Sequence, residues 1–240
     1  MAWTFTLTGH SSVLTADFHP PIELDSKRSY GLGLHGFYTY NSIFNIHEGN
    51  NVIIYNAVEP ITIKIPPGAY EIEEINKAIQ KILLLYITEN NENVDQLFSL
   101  QANNNTLQCE IFSLCDIDLT DKNSIANVLG FEPKVFRGGQ THKSTLPVNI
   151  MKVRIIRVDC NITSGAYVNG VEAHTLFEFD VDVEPGYKLS KEPQNVVYMP
   201  IRPHGRQFID NITLRILDDN GDLIDFRGEK IIVKLELKLL

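Results

Sequence analysis

The sequence predicts an all-β chain folded as a sandwich of two antiparallel sheets, and three observations carry that prediction. First, apolar and polar residues alternate from Phe208 onward: Ile212, Leu214 and Ile216 share one face of an extended strand, and Thr213 and Arg215 share the other. A period of two belongs to a half-buried strand. After Asp219-Asn220-Gly221-Asp222 the chain is expected to return through Leu223 to Phe226 as a hairpin, because Asn and Gly accept the positive φ of a tight reversal. Second, Arg227-Gly228-Glu229-Lys230 starts another strand, with Val233, Leu235 and Leu237 opposite Lys234, Glu236 and Lys238. Consecutive half-buried strands need a second sheet to cover them. Third, about ten to twelve short strands fill the chain, and only two helical periods interrupt them. That density points to a single jelly roll with one long and one short helical insertion.

The elements follow in order. The N-terminal Met-Ala-Trp-Thr-Phe-Thr-Leu-Thr alternates apolar and hydroxyl residues and reads as a strand or a partner-pairing arm, so residues 1–29 are set apart with an open role and 30–240 as one jelly-roll domain. Ile22 to Leu24 and then Tyr30 to Leu34 follow Pro20-Pro21, with Gly31 and Gly33 on one side, where glycine marks a close approach or a bend. Phe37 to Tyr40, Asn51 to Asn56 and Ile61 to Ile65 are further strands, the last stopped by Pro66-Pro67-Gly68. Ile72, Ile75, Ile79, Leu83 and Tyr86 then recur at three and four residues, with Glu71, Glu73, Glu74, Lys77 and Lys81 opposite. This is an amphipathic helix of about five turns, best read as packed over a sheet, with an acidic first turn that suits the helix dipole. Asn103-Asn104-Asn105 turns one hairpin between Phe98 to Leu100 and Leu107 to Phe112, and Asn123-Ser124 opens a short helix that stops at Gly130. Phe131 to Pro147 reads as an exposed loop, and Val148 to Ile162, Val171 to Val183 and Asn195 to Ile201 as strands, with no second core.

Composition excludes several functions. A net charge of -9, from 30 acidic and 21 basic residues, opposes a surface that wraps phosphate backbones, so no direct nucleic-acid contact is expected. Cys109, Cys115 and Cys160 are odd in number and widely spaced, as reduced thiols of an intracellular protein would be. The longest apolar run, Ile82 to Ile87, is far below the about 20 residues of a membrane span. No signal peptide opens the sequence, and the N-x-T triplets at Asn104, Asn161 and Asn211 are read as chance.

Order and spacing of motifs carry a resemblance over about Tyr30 to Leu240. Ile65-Pro66-Pro67-Gly68-Ala69-Tyr70-Glu71-Ile72, Asn123-Ser124-Ile125-Ala126-Asn127-Val128-Leu129-Gly130-Phe131 and Leu146-Pro147-Val148-Asn149-Ile150 are similar to segments of the penton (minor capsid) proteins of Polinton/Maverick elements and adintoviruses. Pro185-Gly186-Tyr187, Pro193-Gln194-Asn195, Ile212-Thr213-Leu214-Arg215 and Asp225-Phe226-Arg227-Gly228 agree. The resemblance implies a structural capsid protein, not an enzyme and without a cofactor. It implies a homopentamer at the fivefold vertices of an icosahedral virion, surrounded by trimers of a double jelly-roll major capsid protein and assembled inside the host cell. It leaves the contact residues open. A ring of five needs head-to-tail contacts that close.

Chemical alternatives are weaker. The seven histidines, His10, His19, His35, His47, His142, His174 and His204, show no H-x-H pair or H-E-x-x-H helix for a metal. Asp116, Asp118 and Asp121, and Asp180, Asp182 and Glu184, read as solvated faces; Asp218, Asn220 and Asp222 lack the glycine and distant glutamate of a calcium loop. A single Arg137-Gly138-Gly139 reads as a loop. The alternative function is a carbohydrate- or receptor-binding β-sandwich using Tyr30, Phe37, Tyr38, Tyr40, Tyr167 and Tyr187; a shell protein recruited by a host genome is a further one.

Overall fold

A computed structural model describes residues 2–86, 94–151, 153–201 and 208–240. Two compact units emerge: residues 1–43 with 153–240, and residues 44–152. The chain enters the first unit through β1 (Ala2–Gly9), β2 (Val13–Glu23) and β3 (Tyr30–Tyr40). The second unit then supplies β4 (Val52–Asn56), β5 (Pro60–Lys64), α1 (Ile72–Tyr86), α2 (Val94–Leu97), β6 (Phe98–Asn103), β7 (Gln108–Ser113), β8 (Asp116–Asp118), α3 (Ala126–Leu129), β9 (Val135–Phe136) and β10 (Gln140–Pro147). The first unit resumes with β11 (Ile155–Cys160), β12 (Ala166–Val168), β13 (Val171–Ala173), β14 (Thr175–Asp180), β15 (Lys188–Lys191), β16 (Tyr198–Pro200), β17 (Phe208–Leu217) and β18 (Ile231–Leu239).

The first unit is a jelly-roll sandwich. One sheet runs β1-β18-β3-β15, with β16 also on β3, and the other runs β14-β11-β17-β2, all neighbours antiparallel. Leaving out β12, β13 and β16, the sandwich strands pair first with last (β1–β18), second with seventh (β2–β17), third with sixth (β3–β15) and fourth with fifth (β11–β14). That nesting is a long hairpin rolled up on itself, which defines the jelly roll. The second unit is inserted in sequence between the third and fourth of these strands.

Alternation places the core. Leu32, Leu34 and Phe37 of β3, Ile156 and Val158 of β11, Ile212, Leu214 and Ile216 of β17, and Val233, Leu235 and Leu237 of β18 are all buried in one apolar cluster. The sequence reading of β17 and β18 as strands holds, and the reversal at Asn220-Gly221 forms, but Leu223 to Phe226 does not continue as a full strand. Leu217 and Leu223 make one isolated bridge, and β17 and β18 lie in different sheets. Asp218 builds the reversal: its carboxylate accepts the Asn220 and Asp222 N–H groups, each at 2.9 Å, and beyond it the Ile224 N–H bonds back to the Ile216 carbonyl at 3.2 Å before the chain goes on to β18.

The second unit has its own apolar cluster, built on Ile53, Ile63, Phe98 and Ile111 and on the stripe Ile72, Ile75, Ile79 and Leu83 of α1. Its sheets run β5-β4-β8-β9 and β10-β7-β6, and α1 packs on β6. The expected helix is present, at 15 residues, and so is the β6–β7 hairpin around Asn104. Here the reading of one core from residue 30 onward is corrected to two, because strand rhythm tells which face of a strand is buried but not which strands share a core. The loop expected over 131–147 is also corrected: it contains β9 and β10, with β10 paired to β7.

Cys109 and Cys160 are buried, and burial pushes each thiol up to about 12, whereas Cys115 is partly exposed. Because the thiolate is the reacting species, a thiol reagent at neutral pH should modify at most one cysteine in the folded protein and three in guanidinium, measured by absorbance and intact mass.

Candidate functional site

Among the described residues no group of three or more His, Cys, Asp or Glu side chains is placed to hold a metal ion. The acidic residues raised by the sequence have other employment. Asp116 accepts the Gly138 N–H at 2.8 Å, Asp118 the Thr120 N–H at 2.8 Å and Asp121 the Asn123 N–H at 2.7 Å. Asp180 and Asp182 both pair with Lys191. Arg137-Gly138-Gly139 forms a bend whose Gly139 N–H bonds the Ser113 carbonyl at 2.8 Å.

The densest polar chemistry lies on the outer face of the β3–β18 sheet. Strand alternation turns Gly31, Gly33 and His35 outward while Leu32 and Leu34 point in, and a register shift opposite Lys234 and Leu235 returns Phe37 to the core and Tyr38 to the surface. His35 Nε2 lies 2.9 Å from Glu236 Oε2 and 3.1 Å from the Tyr198 hydroxyl, and that hydroxyl donates to the same carboxylate. Lys238 sits 3.6 Å above the Tyr198 ring. Nearby, Tyr38 donates to Glu192 at 2.6 Å beneath Lys188 and Lys234. The Glu236 carboxylate beside it pushes the Tyr198 phenol up to about 12, and the phenol's hydrogen bond in turn holds Glu236 below the usual carboxylate range. Each polar group is spent on its neighbour, so the network fastens β16 to the sheet and leaves no activated nucleophile. Glycine permits this: a Cβ on Gly33 would stand 2.5 Å from Val196, and one on Gly31 would stand 2.7 Å from Leu240. Sequence reasoning found the glycines but missed the network, whose members lie 38 to 201 residues apart.

Assembly surfaces are more informative than polar clusters. The free edges of the sandwich sheets are β1, β2, β14 and, end to end along β3, β15 and β16. Three are guarded in the way exposed edges usually are: β2 by Pro20, Pro21 and Asp17, β14 by Glu178 and Asp180, β15 by Lys188 and Lys191. β1, the N-terminal stretch read as strand or arm, is a full sheet strand, paired with β18 from Ala2 to Gly9, and carries neither charge nor proline. Of the aromatic residues raised for sugar stacking, Phe37 is in the core, Tyr30 packs on Trp3 and Tyr38 is bound to Glu192. Tyr40, Tyr167 and Tyr187 are exposed. No helix among the described residues is long and apolar enough to cross a membrane.

No protein-family model matches the sequence, and no curated protein matches it. Among solved structures, the chain is similar to the crystal structure of the selenomethionine-labelled mavirus penton protein, at 12% identity and a TM-score of 0.53, over 100% of both chains. The chain therefore shares, from end to end, the jelly-roll fold of a penton protein.

Proposed function

We propose that this chain is a capsid penton subunit: a homopentamer that plugs the fivefold vertices of an icosahedral virion of the Polinton and adintovirus kind, among trimers of a double jelly-roll major capsid protein. Its product is architecture, with no reaction catalysed and no cofactor. The observation that carries the reading is the likeness to the mavirus penton protein over the whole of both chains, insertion included. The guarded and unguarded sheet edges support it, since a ring needs a surface that accepts a neighbour and others that refuse one. The virion vertex is the corresponding location.

Light scattering of the purified chain should give five times its 27.2 kDa mass, and electron microscopy should show fivefold rings. A monomer at high concentration overturns the reading. One feature favours a second reading, a carbohydrate-binding sandwich: Tyr40 and Tyr187 are exposed at adjoining strand ends, where Asn41 N–H bonds the Tyr187 carbonyl. Glycan-array binding by a monomer would select it.

A further inference from the structure

We infer that the free edge of β1 is closed by the β12–β13 ribbon of a second copy of this chain. The inference rests on the ring reading above and names the surfaces the ring would use.

β1 lies at the end of its sheet, so alternate N–H and C=O groups along it face away from β18, and no backbone partner meets them among the described residues. Such a row accepts an added strand. The side chains beneath it are also incompletely covered. Trp3 and Phe5 of β1, with Ala16, Phe18 and Ile22 of β2, are only partly buried, although Leu7 and Leu14 of the same strands are in the core. The β1 flank therefore presents apolar surface beside its free edge.

The complement is on the same chain. β12 and β13 form a two-stranded sheet of their own, in register from Ala166↔Ala173 to Val168↔Val171, around a turn with positive φ at Asn169 and Gly170. Ala166, Val168, Val171 and Ala173 share one uncharged face, and Tyr167 and Val171 are 70% and 69% exposed. A lone two-stranded ribbon is marginal in water and gains from a third strand. The uncharged β1 edge and β12, the strand of the ribbon that carries no charge, fit each other, with Glu172 of β13 on the opposite face from Val168 and Val171; because each chain carries one edge and one ribbon, the contact is head-to-tail and can close into a ring.

Thr4→Lys tests the edge: Thr4 is exposed and opposite Glu236, so lysine there keeps an acceptable cross-strand pair while guarding the edge against strand addition. Val171→Asp tests the ribbon. Each should raise the concentration for half-assembly by about tenfold or more in sedimentation, with an unchanged melting temperature, and the double variant should lose little beyond the singles because both remove one contact. If Thr4→Lys lowers the melting temperature, Val171→Asp decides alone. Variants that assemble as the natural chain does overturn this contact and leave the ring reading standing. A natural chain that stays monomeric overturns both.

Discussion

Phe37→Ala should destabilise the sandwich by about 3–5 kcal/mol, the cost of truncating a fully buried aromatic residue whose site cannot collapse around the void. Phe37 is 0% exposed, sits on the central strand β3, and touches residues from distant parts of the chain: its ring centroid lies 5.0 Å from that of Phe179 and 6.4 Å from that of Phe226. These contacts tie β3 to β14 of the facing sheet and to the segment between β17 and β18. Removing the ring therefore opens the junction where the two sheets and a crossover meet, and backbone flanked by paired strands cannot move in to fill it. Trp3, the one tryptophan of the chain, lies in the same unit, so its fluorescence follows the unfolding of the sandwich in urea. Tyr40→Ala is the control. Tyr40 is 52% exposed on the same strand, and its loss should change stability by no more than about 0.5 kcal/mol. Equal midpoints for the two variants would contradict the assigned core.

Phe37 and Tyr40 also show what the sequence makes legible. Alternation separates inward from outward residues wherever a strand is regular, and the core residues of β17 and β18 are those the period of two marks. It fails at irregularities. The register shift after Leu34 inverts the alternation within β3, so Phe37 and Tyr38 exchange the faces a strict count from Leu34 would assign. Pairing partners are set by long-range contacts: nothing local in Ala2–Gly9 announces β18 as its neighbour, and nothing in Val135–Phe136 or Gln140–Pro147 distinguishes short edge strands from loop. The boundary that the sequence suggests at residue 30 follows the extent of the resemblance, although β1 and β2 are as much part of the sandwich as β3. The candidate contact surface was the least legible feature. An edge is defined by the absence of a neighbour, and only the assembled sheet reveals which strand lacks one.

Gly130 is the position in the second unit where a single methyl group should do the most damage. It ends α3 with φ of 76°, a left-handed conformation, and its N–H bonds the Ala126 carbonyl to close the last turn. That much the sequence anticipates, since glycine is the usual stop of a short helix. What the sequence does not carry is the packing: a Cβ there would stand 2.3 Å from the Leu146 carbonyl oxygen and 2.8 Å from that of Pro147. Both obstacles are backbone, and Leu146 is further held by its own N–H bond to the Gly130 carbonyl at 3.1 Å, so neither side can yield by rotating a side chain. Gly130→Ala should therefore add left-handed strain to overpacking and cost about 2–5 kcal/mol. Gly228→Ala separates the two causes. Gly228 has φ of 79° but open space around its Cβ position, so alanine there should cost only the strain, about 1–2 kcal/mol. Cys109 supplies the local readout for Gly130→Ala, because it is buried in the same unit and becomes reactive only when that core opens. Its labelling rate under native conditions should rise by about thirtyfold or more in the alanine variant if opening of the core limits the reaction. An unchanged rate would mean that the chain at Leu146 accommodates the methyl group, and that the contact between the end of α3 and β10 is looser than the geometry describes.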